Sequence, residues 1–132
     1  MKRMILAIPL LLASLAFVNA PAANRMTDNP QREEAVVEFT EVVKLQGVLL
    51  RGQYLIYHDD KMMEAGKPCL YIYTMKAGKR DSLVIAVHCE PMERKPAKEF
   101  TVLLTPRYSA YTVREVREIQ FAGFAKAHRI PS

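Results

Sequence analysis

Along most of the chain, apolar side chains recur at every second position, which is the period of extended backbone. Val37, Phe39, Val43 and Leu45 fall on one face of a first segment, with Glu41 as the misfit. The run VLLRGQYLIYH at 48–58 is rich in β-branched, Leu and Tyr residues, and Gly52 inside it predicts a bulge or bend. CLYIYTM (69–75), SLVIAVH (82–88) and EFTVLLT (99–105) read as three further strands. Between 112 and 124 two patterns compete. Thr112 and Glu115 have capping-box spacing, whereas Arg117-x-Ile119-x-Phe121 alternates, and the Val/Ile/Thr content tips the segment towards a strand. One short helix is expected from Asp60 to Gly66, with an Asp at its N-cap, Gly66 at its C-terminal end and Pro68 preventing continuation.

These elements predict an all-β fold, a compact antiparallel sandwich or barrel of about six strands with one short helix. The sharpest expectation concerns the hairpin 69–89. If residues 76–82 form its loop, Met75 pairs with Leu83, Tyr73 with Ile85, Tyr71 with Val87 and Cys69 with Cys89. The only two cysteines then lie opposite each other, at a separation a disulfide can span. In that register Tyr71, Tyr73, Ile85 and Val87 share the disulfide's face, while Leu70, Ile72, Val84, Ala86 and His88 take the other. No Cys-x-x-Cys motif is present to suggest a redox enzyme instead.

The first twenty-odd residues follow a different pattern. Lys2 and Arg3 precede an almost wholly apolar run from Met4 to Val18, and Ala20-Pro21-Ala22 supplies small residues for cleavage. This is the layout of a secretory signal peptide at 1–22, too short and weakly flanked for a stable span. The polar stretch 23–34 is expected to be a flexible lead, and 35–132 a single domain, exported, periplasmic or extracellular, with no membrane span in the mature chain. Such a compartment favours the Cys69–Cys89 bridge. Cleavage would remove two of 19 basic residues and none of the 14 acidic ones, lowering the formal charge from +5 to +3. The densest basic cluster, Lys76, Lys79 and Arg80, runs straight into Asp81. A nucleic-acid partner is therefore not expected.

The candidate chemistry is sparse. His58-Asp59-Asp60-x-Met62-Met63 is the most distinctive run, and His88 sits beside Cys89. His58, Met62, Met63 and His88 are the candidate metal ligands, and imidazole with thioether would suit copper. Their spacing matches no established metal signature, so the competing expectation is no cofactor, with Asp59 or Asp60 capping the helix and Met62 or Met63 packing on the core. The mature chain offers Ser82, Ser109 and Ser132, none in a nucleophile elbow, and its glycines are scattered singly, so no phosphate loop forms. Adjacent Asp59 and Asp60 would diverge in extended chain and could not flank one bond. Tyr54, Tyr57, Tyr71 and Tyr73 could line a binding surface, because tyrosine joins an apolar ring to a polar tip.

The ordered set Gly52-x-Tyr54, His58-Asp59-Asp60, Gly66-x-Pro68-Cys69, His88-Cys89 and Phe121-Ala-Gly123 resembles that of small, uncharacterised exported bacterial proteins. The resemblance spans residues 45–131. It implies an exported β-rich domain and brings no catalytic residues with it.

The functional expectation is a non-enzymatic binding or structural module of the cell envelope, with an envelope protein or a small apolar ligand as its partner. Two alternatives stand beside it. One is a small copper-binding protein using His58, Met62 or Met63, and His88; the other is a hydrolase with an unrecognised site.

Overall fold

The computed structural model describes residues 32–132. The expected signal peptide, its cleavage point and residues 23–31 of the expected lead lie outside the described residues. Eight strands and one helix follow in the order β1 (Arg32–Leu45), β2 (Val48–Asp59), α1 (Asp60–Glu64), β3 (Leu70–Lys76), β4 (Lys79–Val87), β5 (Glu90–Glu93), β6 (Thr101–Leu104), β7 (Arg114–Gln120) and β8 (Lys126–Arg129). They form one curled mixed sheet, a half-barrel, in the order β4-β3-β2-β1-β7-β8-β5, with β6 paired to β7. The all-β class expected from the alternation is correct, and residues 114–120 are strand. The sheet is not purely antiparallel, however. The start of β7 runs parallel to β1, Val43 facing Arg114 and Lys44 facing Glu115. The two strands beyond the expected six, β5 (EPME) and β8 (KAHR), are four residues long and too charged to show alternation.

The core follows from the period-two pattern. Phe39, Val43 and Leu45 on β1 are buried with Leu50 and Ile56 of β2, Leu70 and Ile72 of β3, and Val87 of β4. Val116, Ile119, Phe121 and Ile130 close it from the far side. Each large side chain so buried stabilises the fold by roughly 1.5–3 kcal/mol. Gly52 sits opposite Phe39 at φ +95°, where the β1–β2 register shifts before Val43. It is the expected bulge. Glu41, the misfit within this irregularity, pairs with Arg107 and Arg114. The first strand begins at Arg32, inside the stretch expected to be a lead, because Glu33 and Ala35 continue the inward alternation of Val37 and Phe39.

The 69–89 hairpin is present but its register differs from the expected one. Lys76 pairs with Lys79, so the turn is only Ala77-Gly78, both left-handed at φ +50° and +74°. Such a turn matches the twist of the flanking strands. Irregularities on either side of Tyr73 then set Ile72 against Ile85 and Leu70 against Val87. A slip of one residue exchanges faces. Leu70 and Ile72 therefore share the buried face with Val87, whereas Tyr71 and Tyr73 take the other side and are only part-buried. The cysteines are bonded nonetheless, with Cα atoms 6.3 Å apart, from positions just before β3 and just after β4. The amide of Cys69 donates to the Val87 carbonyl at 3.1 Å, holding the two chain ends together there.

Candidate metal centre

At one end of the core, three strands deliver polar side chains into an apolar setting. Antiparallel pairing puts Glu33 of β1 directly opposite His58 of β2. From β8, His128 enters the same space, its strand held in place by pairing with Ile119 of β7 and Pro91 of β5. Both imidazoles are wholly buried, and the Glu33 residue is 7% exposed. The imidazole rings stack with centroids 3.7 Å apart and planes inclined by 32°. Phe121 walls them in, edge-on to His128 at 6.0 Å and tilted to His58 at 6.4 Å.

Helix α1 starts where β2 ends. Asp59 caps it, accepting from the Lys61 amide at 2.9 Å and from the Tyr57 hydroxyl at 3.1 Å. Burial raises the Asp59 pKa, but these hydrogen bonds and the nearby Arg32 guanidinium outweigh it and hold the carboxyl below its ordinary value. Asp60, the next residue, carries a carboxylate oxygen to 3.6 Å from His58 Nδ1, with its other oxygen 3.8 Å from the Lys126 ammonium.

The donor atoms converge. Glu33 Oε2 lies 3.3 Å from His128 Nε2 and 3.8 Å from His58 Nδ1. A tetrahedral ion bound at 2.0–2.1 Å needs donor–donor edges of about 3.3 Å, which the Glu33–His128 edge has and the Glu33–His58 edge would reach by closing about 0.5 Å. Among the described residues, neither ring nitrogen of His58 makes a hydrogen bond, and neither does His128 Nδ1. Buried polar atoms left in that state are uncommon and costly. The environment also keeps His58 neutral. Burial and the adjacent His128 lower its pKa from 6.5 to about 4, against the opposing pull of Glu33 and Asp60. A neutral imidazole is the form that ligates a metal.

The disulfide also lies beside His58. A ring nitrogen of His58 and the sulfurs of Cys69 and Cys89 all fall within 4.8 Å of one another. Beside Glu33 a cavity of about 280 Å³ opens, walled by Arg32, Ala35, Phe100, Phe121 and Phe124. Larger clefts lie near the chain end, but the buried-side charges there are already matched, Arg94 holding Glu118 with two hydrogen bonds of 2.9 Å.

Of the candidate ligands named from sequence, His58 alone belongs to this cluster. His88 is exposed on the strand end, and Met62 is 37% exposed on the helix. Met63 packs against the hydrophobic core. The tyrosines divide. Tyr54 faces inward against Phe39 at 6.1 Å, while Tyr57 and Tyr71 contact each other on the other face and Tyr73 lies under Arg80. Glu33 and His128 were not singled out from sequence. A signal for Glu33 existed, since it has the same parity as Val37 and Phe39; His128 lies in a strand too short to show parity.

No protein-family model, curated protein or solved structure matches the chain. The functional reading therefore stands on the chemistry of the cluster itself.

Proposed function

We propose that the protein is a non-enzymatic binding module of the cell envelope whose ligand is a divalent transition-metal ion, held by Glu33, His58 and His128. The observation that carries this reading is the set of three buried donors within 4.8 Å of one another, with His58 lacking any hydrogen bond at its ring nitrogens among the described residues. Two imidazoles and a carboxylate suit zinc or copper(II), and disfavour magnesium and calcium, which take oxygen. Asp60 approaches the same nitrogen, its carboxylate oxygen 3.6 Å from His58 Nδ1, and so adds negative charge beside the ion. The set differs from the expected His58, Met62, Met63 and His88 grouping in every member but His58. Three protein ligands leave a tetrahedral ion one open position, which hydrolysis would need. Both imidazoles are wholly buried, however, and a substrate has no approach to them, so binding is the stronger reading.

The test is metal content by mass spectrometry on protein purified without a metal-affinity step, followed by zinc and copper(II) titration. One ion per chain is expected in the wild type. Glu33→Gln, which keeps the side chain's shape, should weaken binding at least about tenfold. Failure of the wild type to bind either ion would end the proposal, as would undiminished affinity in both Glu33→Gln and His128→Asn.

A further inference from the structure

The cluster and the disulfide share one residue. Cys69 and Cys89 bring two sulfurs to within 4.8 Å of a His58 ring nitrogen, in a region where His58 and Cys69 are wholly buried. As long as the sulfurs are bonded to each other they are poor ligands. Reduced, they become two thiolates facing an imidazole that has no hydrogen bond among the described residues. From this geometry we infer that the Cys69–Cys89 pair is a redox gate that converts the site from an imidazole–carboxylate set into a thiolate–imidazole set, with Cys69, Cys89 and His58 as its ligands. The inference rests on the reading of His58 as a metal ligand.

The chemistry balances with one co-reactant, a dithiol of the thiol–disulfide exchange class. Its thiolate attacks Sγ of Cys89, the less buried of the two residues, and the S–S bond breaks with Cys69 leaving as thiolate. The second thiol of the reductant then displaces Cys89. Two electrons pass to the protein, the dithiol becomes a disulfide, and the cysteines take up two protons. Metal binding releases those protons as the sulfurs become ligands. The consequence is a change of preference. The oxidised site takes zinc or copper(II), while the reduced site favours softer ions, copper(I) among them. The sheet should survive the opening, because Cys69 remains tied to Val87 and Asp59 by backbone hydrogen bonds of 3.1 and 3.0 Å.

Cobalt(II), added alone to the full chain, reads both states. The oxidised protein should bind one ion without sulfur-to-metal charge-transfer absorption. After treatment with a dithiol and its removal without air, the same protein should bind one ion and show that band. Cys69→Ser/Cys89→Ser should lose the band and keep the oxidised-state binding. Glu33→Gln should weaken the oxidised-state site and keep the band. His58→Ala should weaken binding in both states. The inference is overturned if the reduced wild type gives no band, if His58→Ala binds cobalt through the thiolates as tightly as wild type, or if reduction abolishes the β-sheet circular dichroism. Failure of the Glu33 reading shows separately: oxidised wild type would then bind no cobalt while the reduced protein still gives the band.

Discussion

Mild acid should destabilise the metal-free protein through His58. Folding holds this imidazole with its pKa at about 4 in place of the ordinary 6.5, the leading cause being burial, followed by repulsion from His128. The unfolded chain therefore binds the proton more readily, and stability must rise with pH between these two values. Expressed from the other direction, stability is full above the unfolded value and is lost as the pH falls towards 4. A shift of this size corresponds to roughly 3 kcal/mol in total, of which about 2 kcal/mol should go between pH 7 and pH 5. Asp59 titrates lower, its carboxyl being held below the ordinary carboxylate value, so its loss falls outside that interval. Urea unfolding with a chelator present, followed by circular dichroism at each pH, measures the effect. His58→Asn serves as the reference, since every other titrating group is common to both proteins. A wild-type loss no greater than that of His58→Asn between pH 7 and pH 5 would refute the argument. Bound zinc should leave the His58 contribution above pH 6 unchanged and extend the loss below pH 4, because the metal keeps the imidazole deprotonated in the folded state while the unfolded chain still takes up the proton.

Three further outcomes follow from the fold. Asp59→Ala removes the cap on α1 together with the acceptor of the Tyr57 hydroxyl and should cost about 1–2 kcal/mol by urea unfolding. Replacing both Cys69 and Cys89 by Ala opens a loop spanning 20 positions and should cost about 3 kcal/mol, read as a lower urea midpoint with the folded spectrum retained. Ala77→Asn, at φ +50° in the β3–β4 turn, should raise stability by roughly 0.5–1 kcal/mol, since Asn tolerates the left-handed conformation better than Ala; an unchanged or lower midpoint would count against the turn.

Alternation made the long strands legible. β1, β2, β3, β4 and β7 each carry enough apolar residues at one parity to mark a buried face, and Gly52 marked its own bulge. Register was harder. Placing Cys69 opposite Cys89 assumed a seven-residue loop, whereas Ala77-Gly78 closes the hairpin in two and the irregularities around Tyr73 absorb the difference. A bond between cysteines restricts where the strands end, but several registers bring their Cα atoms within reach, so the pair alone could not choose between them. β5 and β8 escaped because their four residues place Glu, Lys or Arg at both parities, unlike the equally short β6, whose TVLL is apolar throughout its last three residues.

The site was hidden for a related reason. Glu33 and His128 are 95 positions apart and meet only because β7 joins β1 on one side and β8 on the other. Nothing in local spacing encodes that meeting; it is a property of the sheet's strand order. His58 stood out because it adjoins two aspartates, and those neighbours drew attention along the chain towards Met62 and Met63, although the helix turns Met62 outwards. The more telling feature was one of burial. Along the inward parity of β1, Glu33 is the buried carboxylate in line with Ala35, Val37 and Phe39, and such a group is retained only where something compensates it. His128 accounts for one of its oxygens at 3.3 Å. The same oxygen reaches His58 Nδ1 only at 3.8 Å, and the His58 ring nitrogens remain without hydrogen bonds among the described residues. A purely structural cluster would be expected to satisfy both of its wholly buried imidazoles. An ion placed between Glu33, His58 and His128, as proposed, would engage the carboxylate and one nitrogen of each imidazole at once, which packing alone does not do.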